Sequence, residues 1–361
     1  MRSLRSAERV AGFLEELQVC IPEWMAEFSV PGLSAAFVRG GEMLAEMAFG
    51  VRCIETQEPV TQATYFEAAS LTKPMVACLA LQLCAQGLME LDRPLACHLS
   101  VPYLPDDARS VQITLRHVLS HSTGFPNWRK ASEPLRTHFE PGNRFSYSGE
   151  GFVYLSHAIE EILGQPLADA LRTRIIEPIG LQECVFTWED GQRADVAVGH
   201  NARSEPQAKR AWPLVNPAAS LHCSSRDFAR FMRELMRALH GESPLLHVET
   251  TRGMFHRQVP VNGLPPWSES WPDGEVVSEE RVGWGLGWGI QIYDERDWIW
   301  HWGDNGCYRA FALGTPESGD GVVILTNSEN GQRVIRPILE AIAGPNLPAL
   351  DWLDRIYGIT S

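Results

Sequence analysis

The chain has 361 residues, 44% hydrophobic and 21% charged, which fits ordinary globular structure and excludes a disordered, collagen-like or disulfide-stapled chain. Lys and Arg number 31 against 45 Asp and Glu, a net charge of −14, and the basic residues form no cluster, which argues against nucleic acid as a partner. Only Lys73, Lys130 and Lys209 are lysines, so each lysine invites an individual question.

Helical spacing runs from about Ser6 to Glu27 and is broken at Pro31-Gly32. Two apolar segments, Leu33–Arg39 and Glu42–Val51, flank Gly40-Gly41 and predict a hairpin. Helices are then predicted over Ser70–Gly87, Leu115–Ser120, Gly149–Leu163, Leu167–Ile176 and Arg226–Leu239. Residues 254–282, rich in Pro and acids and holding Trp267 and Trp271, read as one long irregular loop that is a candidate lid. Strands are predicted over Gly283–Tyr293, Trp298–Trp302, Cys307–Leu313 and Gly321–Thr326, and helices over Gln332–Ala343 and Ala349–Tyr357. A lone hairpin is only marginally stable in water, so the two terminal strand groups must share one sheet. The expected fold is therefore α/β of the α+β kind, an antiparallel sheet flanked by N- and C-terminal helices with a mainly helical insertion. Within a single domain, residues 1–65 and 283–361 supply the sheet and its helices, and 66–282 the insertion.

No run reaches the roughly 18 apolar residues of a membrane span. The N-terminal segment, with Glu15, Glu16 and Glu23, reads as amphipathic rather than as an export signal. Eight scattered cysteines without a C-x-x-C pair read as reduced thiols, and a cytoplasmic location is expected. His117 and His121 are four apart but lack the Glu of H-E-x-x-H, so a structural role is preferred to a metal site.

The sharpest chemical signal is Ser70-Leu71-Thr72-Lys73. If Ser70 opens a helix, Lys73 lies one turn on along the same face and its amine reaches the serine hydroxyl. A serine hydroxyl is a poor nucleophile until a base takes its proton, and a lysine held neutral by burial can do so. Taken alone S-x-x-K arises often by chance, the bland reading being a capping serine followed by a solvated lysine.

Further segments match in order. They are Leu115-Arg116-His117-Val118-Leu119-Ser120-His121-Ser122-Thr123-Gly124, Pro141-Gly142-Asn143-Arg144-Phe145-Ser146-Tyr147-Ser148-Gly149, Gly285-Leu286-Gly287-Trp288 and His301-Trp302-Gly303-Asp304. With these the chain, from about Pro31 to Gly331, resembles the serine β-lactamase/penicillin-binding protein superfamily, especially class C β-lactamase-like esterases and D-peptidases. The resemblance implies that Ser70 forms the acyl-enzyme, Lys73 is its base or proton shuttle, and Tyr147 relays a proton to the leaving group. It implies an oxyanion hole made by the backbone amides of Ser70 and Asp304, with Gly303 admitting close approach of substrate. His301, Trp302, Gly303, Gly149, Phe125 and Tyr308 are the implied substrate-binding positions, and Phe125, Trp128 and Tyr308 flank the entrance.

Two departures narrow the substrate. Gly149 stands where lactam-cleaving enzymes and D,D-peptidases usually carry Asn, so no side-chain amide meets the substrate there. His301-Trp302 stands where K-T-G is common, and a histidine near its ordinary pKa of ~6.5 is only partly charged at neutral pH. The expectation is a serine hydrolase acting on small acyl esters or amides, most aptly a carboxylic ester hydrolase with weak or no β-lactamase activity. No metal or organic cofactor, nucleic acid or membrane is called for. A D-amino-acid-specific peptidase or amidase, a biosynthetic acyltransferase and a catalytically idle ligand-binding homologue remain open alternatives.

Overall fold

The computed structural model describes residues 7–189, 191, 193–262 and 278–357. Helix α1 (Ala7–Glu27) turns Leu17, Ile21 and Met25 inward at four-residue intervals and lies beside the sheet. Strands β1 (Gly32–Arg39) and β2 (Glu42–Gly50) form the predicted hairpin, with Gly40 and Gly41 at φ +57° and +78°.

The chain then leaves the sheet. A short strand, β3 (Phe66–Ala69), leads into α2 (Thr72–Ala85), whose first ten residues are all buried. A helix apolar on every side belongs in the middle of a core, and this position decides the chemistry of Lys73. Next come α3 (Leu115–Leu119), α4 (Gly149–Leu163) and α5 (Leu167–Leu171), which runs through a π-turn at Arg172–Ile176 into α6 (Glu177–Ile179). The segment Leu167–Ile176, expected as one regular helix, thus changes its hydrogen-bond pattern halfway. Strands β4 (Cys184–Val185) and β5 (Leu221–Cys223) join β3 in a small sheet of order β3-β5-β4, too short to register in the sequence pattern. Helices α7 (Ser225–Ala238) and α8 (Val248–Phe255) complete this region.

The return to the large sheet begins earlier than expected. Strands β6 (Val259–Asn262) and β7 (Ser278–Trp284) pair antiparallel, so part of the predicted loop 254–282 is sheet and its first residues end α8. Pro260 had argued against a strand; it is accommodated because β6 is the edge. Trp267 and Trp271 lie outside the described residues. The single predicted run Gly283–Tyr293 is two strands, since β8 (Gly289–Tyr293) pairs back on β7 across a turn over 285–288. Strands β9 (Arg296–Asp304), β10 (Arg309–Thr315) and β11 (Asp320–Thr326) follow, then α9 (Gly331–Ala343) and α10 (Pro348–Tyr357).

The large sheet has the order β2-β1-β11-β10-β9-β8-β7-β6, every neighbour antiparallel. The two ends of the chain meet where β1 pairs β11, from Leu33 opposite Thr326 to Val38 opposite Gly321. Alternation along each strand separates two cores. Leu33, Phe37, Ile324 and Trp300 face α1, α9 and α10. Ala36, Val323, Leu325 and Ile299 face α2, α4 and α7. Among the described residues no helix is long and apolar enough to cross a membrane.

Candidate active site

Ser70 lies between β3 and α2, two positions before the first helical residue, Thr72, rather than within the helix. The residue before it, Ala69, is buried with φ +50°, a conformation costly for any side chain. That kink turns the chain sharply from strand to helix and presents Ser70 to a cavity of about 1020 Å³. Thr72 braces the turn, its hydroxyl donating to the Ala69 carbonyl at 2.6 Å and accepting from the Leu221 amide at 2.9 Å. Because Ser70 precedes the first helical residue, its amide is not committed to the ladder of α2.

Lys73 follows one turn later and is fully buried. Its Nζ lies 2.9 Å from Ser70 Oγ and donates to the Ala218 carbonyl, also at 2.9 Å. Burial lowers its pKa well below the ordinary lysine value, which favours the neutral form of the amine. A neutral amine in contact with a hydroxyl that faces a cavity can accept that hydroxyl's proton.

Tyr147 comes from the segment entering α4 and lines the same cavity. Lys73 Nζ lies 4.6 Å from its ring centroid. Burial raises the phenol's pKa and the nearby Ser70 hydroxyl offsets part of the rise, although no hydrogen bond of ordinary geometry joins the two. The phenol therefore keeps its proton at neutral pH and can pass it on only as it receives another.

His121 packs at a tilt on the Tyr147 ring, centroids 4.1 Å apart, and accepts from the Ser148 amide at 3.0 Å through Nδ1. Burial, and then the neighbouring Lys73 and His301, drive its pKa far below the usual value. His117 caps α3 with Thr114. Both histidines thus serve structure, and among the described residues no group of three metal-ligating side chains is assembled.

The end of β9 faces Ser70. Trp302 and Asp304 line the cavity. Asp304 turns its carboxylate away, to Arg309, the Gly306 amide and the Tyr357 hydroxyl. At Gly303 an added Cβ would sit 2.4 Å from the Ala68 carbonyl, so only glycine lets β9 pass this close to β3. His301 is fully buried instead of lining the cavity, and burial followed by Lys73 lowers its pKa to about 3. It is neutral, not partly charged, and gives the strand no cation.

Two other expected binding positions also lie elsewhere. Phe125 is fully buried, packed at an angle against the rings of Tyr103 and Tyr154. Tyr308 is buried, donates to the Ala197 carbonyl at 3.0 Å and borders a separate cavity of about 170 Å³. Sequence proximity to a motif does not say which way a side chain turns. Gly149 is roofed by Trp128, whose ring an added Cβ would approach to 2.5 Å, and it is this indole that lines the cavity. Gly149→Asn is therefore expected to displace the indole and destabilise the fold by about 1–3 kcal/mol without creating nitrocefin hydrolysis. Thermal melting, tryptophan fluorescence and a nitrocefin assay check this.

Sequence reasoning missed Arg210, Trp212 and Asn305 on the cavity wall. The adjacent pair Lys209-Arg210, in a chain so poor in lysine, was the available signal.

The family model described as Beta-lactamase matches residues 17–344. Penicillin-binding protein 4 of Amycolatopsis lactamdurans is 26% identical over 349 residues, covering 89% of this chain and 88% of that protein. Esterase EstB of Burkholderia gladioli is 29% identical over 232 residues, covering 55% of this chain and 58% of that one. The octameric penicillin-binding protein homologue from Pyrococcus abyssi superposes with a TM-score of 0.73 at 24% identity, over 94% of this chain and 80% of that chain, a likeness of fold. With the match spanning most of its length, this chain belongs to the Beta-lactamase family of serine hydrolases.

Proposed function

We propose that the protein is a carboxylic ester hydrolase that forms an acyl-enzyme on Ser70 and has weak or no β-lactamase activity. The observation that carries this reading is the buried Lys73 amine, its pKa lowered by that burial, 2.9 Å from the hydroxyl of a cavity-facing serine. Ser70 Oγ attacks the ester carbonyl carbon as its proton passes to Lys73 Nζ, and the carbonyl π electrons move to oxygen. The amides of Ser70 and Asp304 hold the resulting oxyanion; two fixed donors aimed at developing charge are typically the largest catalytic contribution. The C–O bond to the alcohol then breaks, and the alkoxide takes its proton through Tyr147. Water repeats the sequence on the acyl-enzyme, giving up a proton to the same groups and releasing the acid.

Ester rather than lactam cleavage is supported by three things. Trp128 fills the space over Gly149, where an asparagine amide would have stood. His301 is neutral and withdrawn from the cavity. The partial match to an esterase agrees.

In the test, a fluorophosphonate should label Ser70, mapped by mass spectrometry, and short p-nitrophenyl esters should turn over at least about 10²-fold more efficiently than nitrocefin. Ser70→Ala should abolish both labelling and turnover. Label on another residue would remove Ser70 from its role, and comparable lactam and ester efficiencies would remove the ester preference.

A further inference from the structure

The protein is acidic overall, 45 acids to 31 bases, yet the cavity that Ser70 faces is lined by four cations, Arg129, Lys130, Arg136 and Arg210, against two acids, Glu133 and Asp304. Four of these six charges are answered locally. Arg129 pairs with the buried Glu150, Lys130 lies 3.8 Å from Glu133, and Asp304 pairs with Arg309. Arg136 and Arg210 have no carboxylate within ion-pair distance among the described residues.

Of these two, Arg210 is the one held in place. Its guanidinium carbon lies 4.1 Å from the ring centroid of Trp212, which is 5% exposed. Trp212 is strapped to Trp188 by reciprocal backbone hydrogen bonds of 2.8 and 2.7 Å. On the other side, Lys209 turns inward to a buried ion pair with Glu67 at 2.9 Å. Glu67 also accepts from Asn305, the neighbour of Asp304 on the opposite wall. Consecutive basic residues thus take opposite directions, Lys209 as an anchor and Arg210 as a side chain presented to the cavity. A guanidinium stacked on an aromatic face keeps its in-plane N–H donors available, in the fork that matches a carboxylate.

We infer that Arg210, backed by Trp212, is a specificity-determining residue that receives a carboxylate carried by the substrate away from its scissile carbonyl. This rests on the ester-hydrolase reading and deepens it, moving anion recognition from the β9 strand, where His301 is neutral, to the loop before β5. A carboxylate is chosen because its two oxygens match the planar donor fork of a single guanidinium.

The test compares three p-nitrophenyl esters of similar length: hexanoate, the monoester of adipate, and 6-aminohexanoate. The adipate ester should exceed the hexanoate in kcat/KM by about 10-fold or more at low ionic strength, the cationic ester should fall below it, and 0.5 M salt should compress the differences. Arg210→Gln should bring the adipate-to-hexanoate ratio to within about 2-fold of unity, through KM, while Arg210→Lys should retain part of it. A wild-type ratio at or below one, a ratio that survives Arg210→Gln, or one erased by Arg136→Gln instead would overturn the assignment while leaving the hydrolase reading intact. Better turnover of a phosphonate-ended ester would overturn the choice of a carboxylate. Failure to hydrolyse any ester, with no fluorophosphonate label on Ser70, would overturn the hydrolase reading and the subsite with it.

Discussion

Replacing Lys73 by methionine is expected to lower kcat/KM for short esters by at least about 10³-fold while leaving the chain folded. The side chain is fully buried, and its Nζ reaches the Ser70 hydroxyl and the Ala218 carbonyl at 2.9 Å each. Methionine fills a similar volume without a proton acceptor, so the loss belongs to chemistry and not to packing. The wild type's pH profile carries the same message. Burial holds the lysine pKa well below its ordinary value, so activity should persist to lower pH than an ordinary lysine would allow and be lost as pH falls through that lowered pKa. Burial moves the Tyr147 phenol the opposite way, which keeps its ionisation clear of the neutral range.

Stability follows with a definite sign. In the unfolded chain Lys73 titrates near its ordinary value of ~10.4, so between the lowered folded pKa and that value the unfolded state binds more protons at this site than the native state. The penalty is absent above the unfolded pKa, grows as pH falls, and is complete at the folded pKa. The wild type's melting temperature should therefore contain a component that rises from neutral pH toward pH 10, and Lys73→Met should remove it. Equal slopes for the two proteins would mean that the lysine is charged in the native state.

Gly303→Val is the second substitution with a large expected effect. A Cβ there would meet the Ala68 carbonyl at 2.4 Å and the Ala310 Cβ at 3.0 Å, so β9 must move away from β3. That movement separates the Asp304 amide from the Ser70 amide, and losing one oxyanion donor typically costs ~10²–10³ in rate. Gly314→Ala is the control. It lies in β10 with its nearest neighbours at 3.4 Å, and should leave ester turnover unchanged. Measured kcat for both variants, with circular dichroism to confirm the sheet, separates displacement of the donor from general disruption. A Gly303→Val enzyme of full activity would take the Asp304 amide out of the mechanism.

The large expected effects fall on residues whose spacing is local in the chain. Ser70 and Lys73 are three apart, and one helical turn fixes their relation wherever the helix lies. The strands at both ends were legible from alternation and glycine turns, and their pairing followed because neither group could stand alone. What escaped were elements too short or too irregular to carry a period. They are the β3-β5-β4 sheet, the edge strand β6 with its proline, and the reversal over 285–288.

Side-chain direction was the other limit. Phe125, Tyr308 and His301 sit beside motif residues yet turn into the core, whereas Arg210 and Trp212, some 140 positions from Ser70, turn toward it. The sequence by itself determined the hydroxyl–amine spacing, the order of the longer elements and the glycine at position 303 within β9, because each depends on spacing or on the absence of a side chain. Only the tertiary structure decided that burial depresses the Lys73 and His301 pKa values, that Trp128 covers Gly149 and that Arg136 and Arg210, which form no ion pair among the described residues, border the cavity. Desolvation and charge pairing depend on what surrounds a group in three dimensions, and those neighbours come from every part of the chain.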